Sequence, residues 1–251
     1  MIIYEETEMK ITFIGHSGYL VELPEADLLF DYYQEELPHR DHKKPLYIFA
    51  SHTHSDHFNP QIFTFSRTLE PIHYVLSKDI ADKVTYRNML DMDPQVCDHL
   101  TYMKADEEMD IEEGGASINV RTLRSTDCGV AFLVECSGRT IFHAGDLYLW
   151  CWTKGTKEKN NNMKARFADI IKGLSGRTID AAFLPLDPRL EEYYCEGFLQ
   201  FLSIAEIKHA FPMHMWKHHE VIERFLKEER SKPYRDRIAK ITERGQQWII
   251  E

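Results

Sequence analysis

One stretch constrains this chain more than any other: Ser51-His52-Thr53-His54-Ser55-Asp56-His57-Phe58. It follows the apolar run Leu46-Tyr47-Ile48-Phe49-Ala50, and a short continuous apolar run of this kind predicts a buried strand. The cluster therefore starts at a strand end, where rigid backbone can aim several side chains at one point. Residues two apart in extended backbone face the same side, so His52 and His54 share a direction. Asp56 and His57 are adjacent and diverge, which suits a second position. Two imidazoles for one ion, and a carboxylate with an imidazole for another, fit zinc or a similar divalent metal. The plain alternative is a polar loop rich in histidine, since the chain carries 13 His in 251 residues. Four potential ligands packed into positions 52–57 behind a strand are much harder to reach by chance.

Composition limits the remaining classes. At 251 residues and 43% hydrophobic, with no Pro/Gly/Ser linker and no repeat, the chain reads as one unit over 1–251. No apolar run is long enough for a membrane span, and Met1 to Met9 is acidic and short, unlike a signal peptide. Five scattered cysteines without a Cys-x-x-Cys suggest reduced thiols and a cytoplasmic protein. A net charge of −11 speaks against a nucleic-acid backbone and leaves a small molecule as the expected partner. Oligomeric state is not legible.

Alternation predicts strands over Lys10–Leu23 (two, joined near His16-Ser17-Gly18), Leu28–Phe30, Ile72–Leu76, Leu100–Lys104, Ile118–Leu123, Val130–Glu135, Thr140–His143, Ile179–Leu184 and His209–Phe211. Helices are predicted from Pro60 with Asn59 as cap, over Lys78–Leu90 capped by Ser77, and over Met163–Leu174, Phe198–Ile207 and Glu220–Lys227. Asp106–Asp110 reads as a solvated turn and Thr153–Asn162 as a polar loop. The sum is a two-sheet core flanked by helices.

His-x-His-x-Asp-His after a strand resembles the signature of the metallo-β-lactamase superfamily, and His143-Ala144-Gly145-Asp146 and Phe211-Pro212-Met213-His214 resemble its later motifs in the expected order. Phe13-Ile14-Gly15-His16-Ser17-Gly18 and Leu29-Phe30-Asp31 resemble the branch that contains ascorbate-6-phosphate lactonase. The resemblance implies an α/β fold, a four-layer αβ/βα sandwich of two mixed sheets flanked by helices, with the site at one edge. It implies that His52 and His54 hold a first metal, that Asp56, His57 and His214 hold a second, and that Asp146 bridges them. It further implies zinc, as one or two ions, with manganese or iron as alternatives. Its activity would be metal-dependent hydrolysis of a small ester, lactone or phosphoester by an activated water, with Asp56 and His57 as catalytic residues. A metal-binding but catalytically silent sensor or scaffold of the same fold is the alternative. One position departs from the pattern: Ser125 stands where the family places a third histidine for the first metal, and serine is a poor zinc ligand. The second site is therefore expected to be the tighter one, with His16 or Asp127 as candidates to replace the missing ligand. His16, Arg189 and Trp150 are candidate substrate-binding residues, Arg189 as a clamp for an anion and Trp150, with Trp152, as a pocket wall.

Overall fold

The computed structural model describes residues 8–34, 36–38, 40, 43–69, 71–81 and 94–251. Its strands are β1 (Met9–Gly15), β2 (Gly18–Glu22), β3 (Asp27–Phe30), β4 (Leu46–Ala50), β5 (Ile72–Ser77), β6 (Leu100–Met103), β7 (Glu108–Glu113), β8 (Ala116–Arg124), β9 (Val130–Cys136), β10 (Arg139–His143), β11 (Thr178–Pro185), β12 (Glu206–Met213) and β13 (Gln247–Ile250). The α-helices are α1 (Lys78–Ala81), α2 (Pro94–Asp98), α3 (Lys157–Ile171), α4 (Glu196–Ile204) and α5 (Glu220–Lys227), and Pro60–Arg67 forms a 3₁₀ helix.

The strands make two mixed sheets, ordered β13-β1-β2-β3-β4-β5-β6 and β12-β11-β10-β9-β8-β7. Strands β3 to β6 run parallel, as do β10 to β12. The two-residue side-chain period divides β4 between two cores. Tyr47 and Phe49 enter the core between the sheets, against residues such as Phe132, whereas Leu46, Ile48 and Ala50 enter the outer core beneath the Pro60–Arg67 helix. Burial on both faces explains why β4 reads as an unbroken apolar run. Among the described residues no helix is long and apolar enough to cross a membrane.

Several expectations need correction. Asp106–Asp110 is not wholly a turn, because from Glu108 the chain forms β7, the last strand of its sheet, with only Ile111 buried. Charges on an edge strand oppose pairing with another chain, and they also mask the strand from a reading based on hydrophobicity. Helix α3 starts at Lys157, inside the predicted loop, because Thr156 caps it by accepting from the Lys159 amide. Its polar first turns stay helical, and the buried Asn160 bonds both the amide and the carbonyl of Trp152. The predicted helix Phe198–Ile207 gives up its end to β12, which is longer than His209–Phe211. Strand β13 has too few residues to be read from alternation and is fixed by pairing with β1. Of the predicted helix Lys78–Leu90, only Lys78–Ala81 lies within the described residues.

Candidate metal centre

The chemistry-bearing loops leave the carboxyl ends of the parallel strands, where open α/β sheets place their ligands. Asp31 follows β3, His52 to His57 follow β4, Asp146 follows β10, Asp187 follows β11 and His214 follows β12. The turn between β1 and β2 brings His16 to the same edge, tied there by the His214 amide donating to the His16 carbonyl at 3.2 Å. Three of these residues hold left-handed backbone: His16 at φ 50°, Asp31 at φ 43° and His214 at φ 63°. Such a conformation costs a non-glycine residue about 1–2 kcal/mol, and strain of this kind gathers at functional sites. Gly145 is also left-handed, at φ 51°, and a Cβ there would lie 2.7 Å from the Ser51 Cβ. Only glycine lets the Asp146 turn close against the His52 loop.

The ligand atoms converge on the Asp146 carboxylate. Its Oδ1 lies 3.3 Å from both His57 Nε2 and His214 Nε2, and its Oδ2 lies 3.3 Å from His52 Nε2. His16 Nε2 is 3.3 Å from Asp56 Oδ2. Two groups result, each with ligand atoms within 4.8 Å of one another: His16, Asp56, His57 and His214, and His52, His57 and Asp146. A separation of 3.3 Å is about the edge of a tetrahedron whose corners lie about 2.0–2.1 Å from a central zinc. His16 Nε2, His57 Nε2 and Asp146 Oδ1 are buried without a hydrogen-bond partner, a costly state for polar atoms that a cation relieves. The residues present fit a divalent metal.

A second layer of carboxylates fixes the rings. Asp31, fully buried, accepts from the Ser51 amide and Ser51 Oγ, both at 2.7 Å, and from His57 Nδ1 at 2.6 Å. With its proton given to Asp31, Ser51 Oγ accepts from His52 Nδ1 at 3.0 Å. Asp187 accepts from His214 Nδ1 at 3.0 Å. All three imidazoles thus engage the protein through Nδ1 and turn Nε2 toward Asp146, the orientation that metal-ligating histidines adopt. Burial pushes the His57 pKa down, but the carboxylates of Asp146 and Asp31 outweigh it and hold it up at about 10. Burial takes the His16 pKa down to about 4, so this ring is neutral at neutral pH. Burial raises the Asp187 carboxyl, and His214 with Arg189 more than offsets it, leaving it at about 2.

The six residues expected as ligands are all at this edge, but their grouping differs from the expectation. His16, expected either against the substrate or as a replacement for the missing ligand of the first metal, stands among Asp56, His57 and His214. His54 Nδ1 lies 3.0 Å from His52 Nε2, and His54 also groups with Asp127 and Cys128. Ser125 is buried and accepts from the Asp127 amide at 3.1 Å, so the loop that lacks the histidine presents Asp127 and Cys128 in its place. Arg189 donates from Nε to both Asp187 oxygens, at 3.0 and 2.9 Å, which commits much of its guanidinium to holding Asp187 rather than to a ligand. A cavity of about 380 Å³ opens over the site, lined by Trp150, Trp152, Met163, Arg189 and the candidate ligands His54, Asp56, Asp146 and His214. Trp150 Nε1 donates to the Asp146 carbonyl at 2.9 Å. Sequence reasoning missed the ring-orienting roles of Asp31, Ser51 and Asp187. The signal available for the carboxylates was an Asp directly after an apolar strand.

Residues 10–161 match the Beta-lactamase superfamily domain. The UPF0173 metal-dependent hydrolase of Opitutus terrae is 27% identical over 219 residues, covering 82% of this chain and 84% of the relative. Among solved structures, the metallo hydrolase Igni18 of Ignicoccus hospitalis superposes with a TM-score of 0.65 at 15% identity, covering 98% of this chain and 99% of that one. CmlA, a diiron β-hydroxylase of Streptomyces venezuelae, superposes with a TM-score of 0.55 at 11% identity, over 82% of this chain and 45% of that one.

Proposed function

The chain belongs to the beta-lactamase superfamily, and from that premise we propose that it is a metal-dependent hydrolase of a small ester, lactone or phosphoester. The observation that carries this reading is the set of Nε2 atoms from His52, His57 and His214 turned toward one carboxylate, each 3.3 Å from an Asp146 oxygen. His16, Asp56, His57, Asp146 and His214 would hold the tighter ion. His52, His54 and the second oxygen of Asp146, with Asp127 or Cys128, would hold a weaker one. Imidazole and carboxylate ligands favour zinc and also accept manganese or iron.

A divalent ion bound there supplies a Lewis acid and lowers the pKa of a bound water to about 7. Around it the chain's own residues position the reaction. Asp56, held in its ionised form beside His16 and His57, accepts a hydrogen bond from the attacking water and orients it. Trp150, Trp152 and Met163 cover an apolar part of the substrate and keep bulk water from it. The exposed side of Arg189 offers a cation to an anionic substituent.

A panel of aryl esters, lactones and bis(p-nitrophenyl) phosphate, assayed after loading with zinc, manganese or iron, tests the proposal against a His57→Ala control. Turnover above the control with at least one metal is the expected result. No turnover above it with any metal would favour a metal-binding protein without catalysis.

A further inference from the structure

We propose a second transition-metal site at the opposite end of the strands, formed by His73, His99 and Glu113. It binds zinc or a metal of similar preference and clamps the two sheets together. His73 is in β5 and His99 directly precedes β6, both in the first sheet, while Glu113 ends β7 in the second. Their ligand atoms all lie within 4.8 Å of one another. Glu113 Oε2 accepts from His99 Nδ1 at 2.6 Å and lies 3.3 Å from His73 Nδ1. Two histidines and one glutamate are a recurrent zinc ligand set that leaves a fourth position for water.

Three observations make this a built site rather than a chance meeting of polar side chains. First, the ligands are held from several directions. The Tyr74 amide donates to the His99 carbonyl at 2.8 Å, and Tyr47 Oη donates to the Ala116 carbonyl at 2.9 Å across the sheets. Gly114, at φ 54°, lets the turn after Glu113 press on Pro71, whose Cγ would lie 2.3 Å from a Cβ there. Second, His73 Nε2 lies 2.9 Å from Thr101 Oγ1. With Nε2–H donating to that hydroxyl, the Nδ1 lone pair is left facing the Glu113 carboxylate. Third, the cluster lines a cavity of about 500 Å³ whose described rim adds Asp98 and Glu112 and includes no lysine or arginine. That rim attracts a cation and leaves room for its remaining water.

The site is independent of the candidate hydrolytic centre. His73 pairs with Tyr47 at the start of β4, and His52 follows the end of that strand. Five residues of strand separate the two, roughly 16 Å at about 3.3 Å per residue.

Zinc chloride titrated into the chelator-stripped protein tests the proposal, with bound metal counted by mass spectrometry and melting followed by circular dichroism. The wild type is expected to bind one more equivalent than Glu113→Gln or His99→Ala, each variant losing about tenfold or more in affinity for that equivalent. His57→Ala should keep it. Zinc should raise the melting temperature of His57→Ala and not of a His57→Ala/His99→Ala double variant. Aryl-ester turnover should be unchanged in His99→Ala, because its half-exposed ring lies at the opposite end of the strands from the hydrolytic centre. Equal stoichiometry in wild type and His99→Ala, or loss of the same equivalent in His57→Ala, would overturn the proposal and leave a proton-sharing His–Glu–His cluster.

Discussion

Replacing Asp31 by Asn isolates the contribution of the carboxylate layer to metal affinity. The change keeps shape and removes one acceptor oxygen from a fully buried position. Asp31 Oδ2 accepts from both Ser51 Oγ and His57 Nδ1, and Oδ1 accepts from the Ser51 amide. If the Asn amide nitrogen takes the Oδ2 place, two donors meet at His57 Nδ1. The ring must then move its proton to Nε2, the atom that faces Asp146. If it takes the Oδ1 place, it confronts the Ser51 N–H in a buried pocket. Either arrangement spoils at least one interaction worth about 1.5–3 kcal/mol for a charge-assisted bond. Loss of an outer carboxylate of this kind costs about 10–100-fold in metal affinity, or roughly 1.4–2.7 kcal/mol. Competition calorimetry with a chelator, in a Glu113→Gln background that silences the distal cluster, would measure it. Zinc affinity within twofold of the parent would refute the claim that Asp31 sets the His57 tautomer.

Three further outcomes are expected. His57→Ala should abolish the tight binding event at the hydrolytic centre, because this ring is placed on the tighter ion, whereas His52→Ala should remove mainly the weaker second event; equal losses in titrations of the two would contradict the uneven pair. Asp127→Ala and Cys128→Ser should weaken that second event by about tenfold, and if the thiolate ligates, the cobalt-loaded wild type should show a sulfur-to-cobalt charge-transfer band that Cys128→Ser lacks; neither effect appearing would leave the first site without a replacement for its missing histidine. Metal uptake should depend on pH: His57, held up at about 10, carries a proton in the metal-free chain at neutral pH, so binding must expel it and affinity should rise up to about tenfold per pH unit for each proton displaced. Calorimetry near pH 7 in buffers of different ionisation enthalpy should count at least one proton released, and a pH-independent affinity would refute it.

How much of this was legible depends on how locally each feature is encoded. The His52–His57 loop and β4 stand next to each other in the chain, so periodicity and residue type were sufficient. Asp146 and His214 were found through resemblance alone, because no local pattern says that the ends of β10 and β12 meet the end of β4. The partner of His16 was hidden for the same reason: its place among Asp56, His57 and His214 is set by strand order across a sheet. Asp31 illustrates a subtler limit. Its residue type was visible, but its three hydrogen bonds come from a residue 20 positions away and another 26 away. Edge strand β7 was missed because its charges serve to prevent association rather than to form a core.

The position of a bound metal decides between a hydrolytic centre and a merely polar strand edge. Crystals grown with zinc, with anomalous diffraction collected at the zinc edge, should show the strongest peak about 2.0–2.2 Å from the Nε2 atoms of His57 and His214 and from an Asp146 oxygen. A weaker peak is expected beside His52. A zinc-loaded crystal with no peak within bonding distance of His57 and Asp146 would contradict the metal centre and the hydrolase reading built on it.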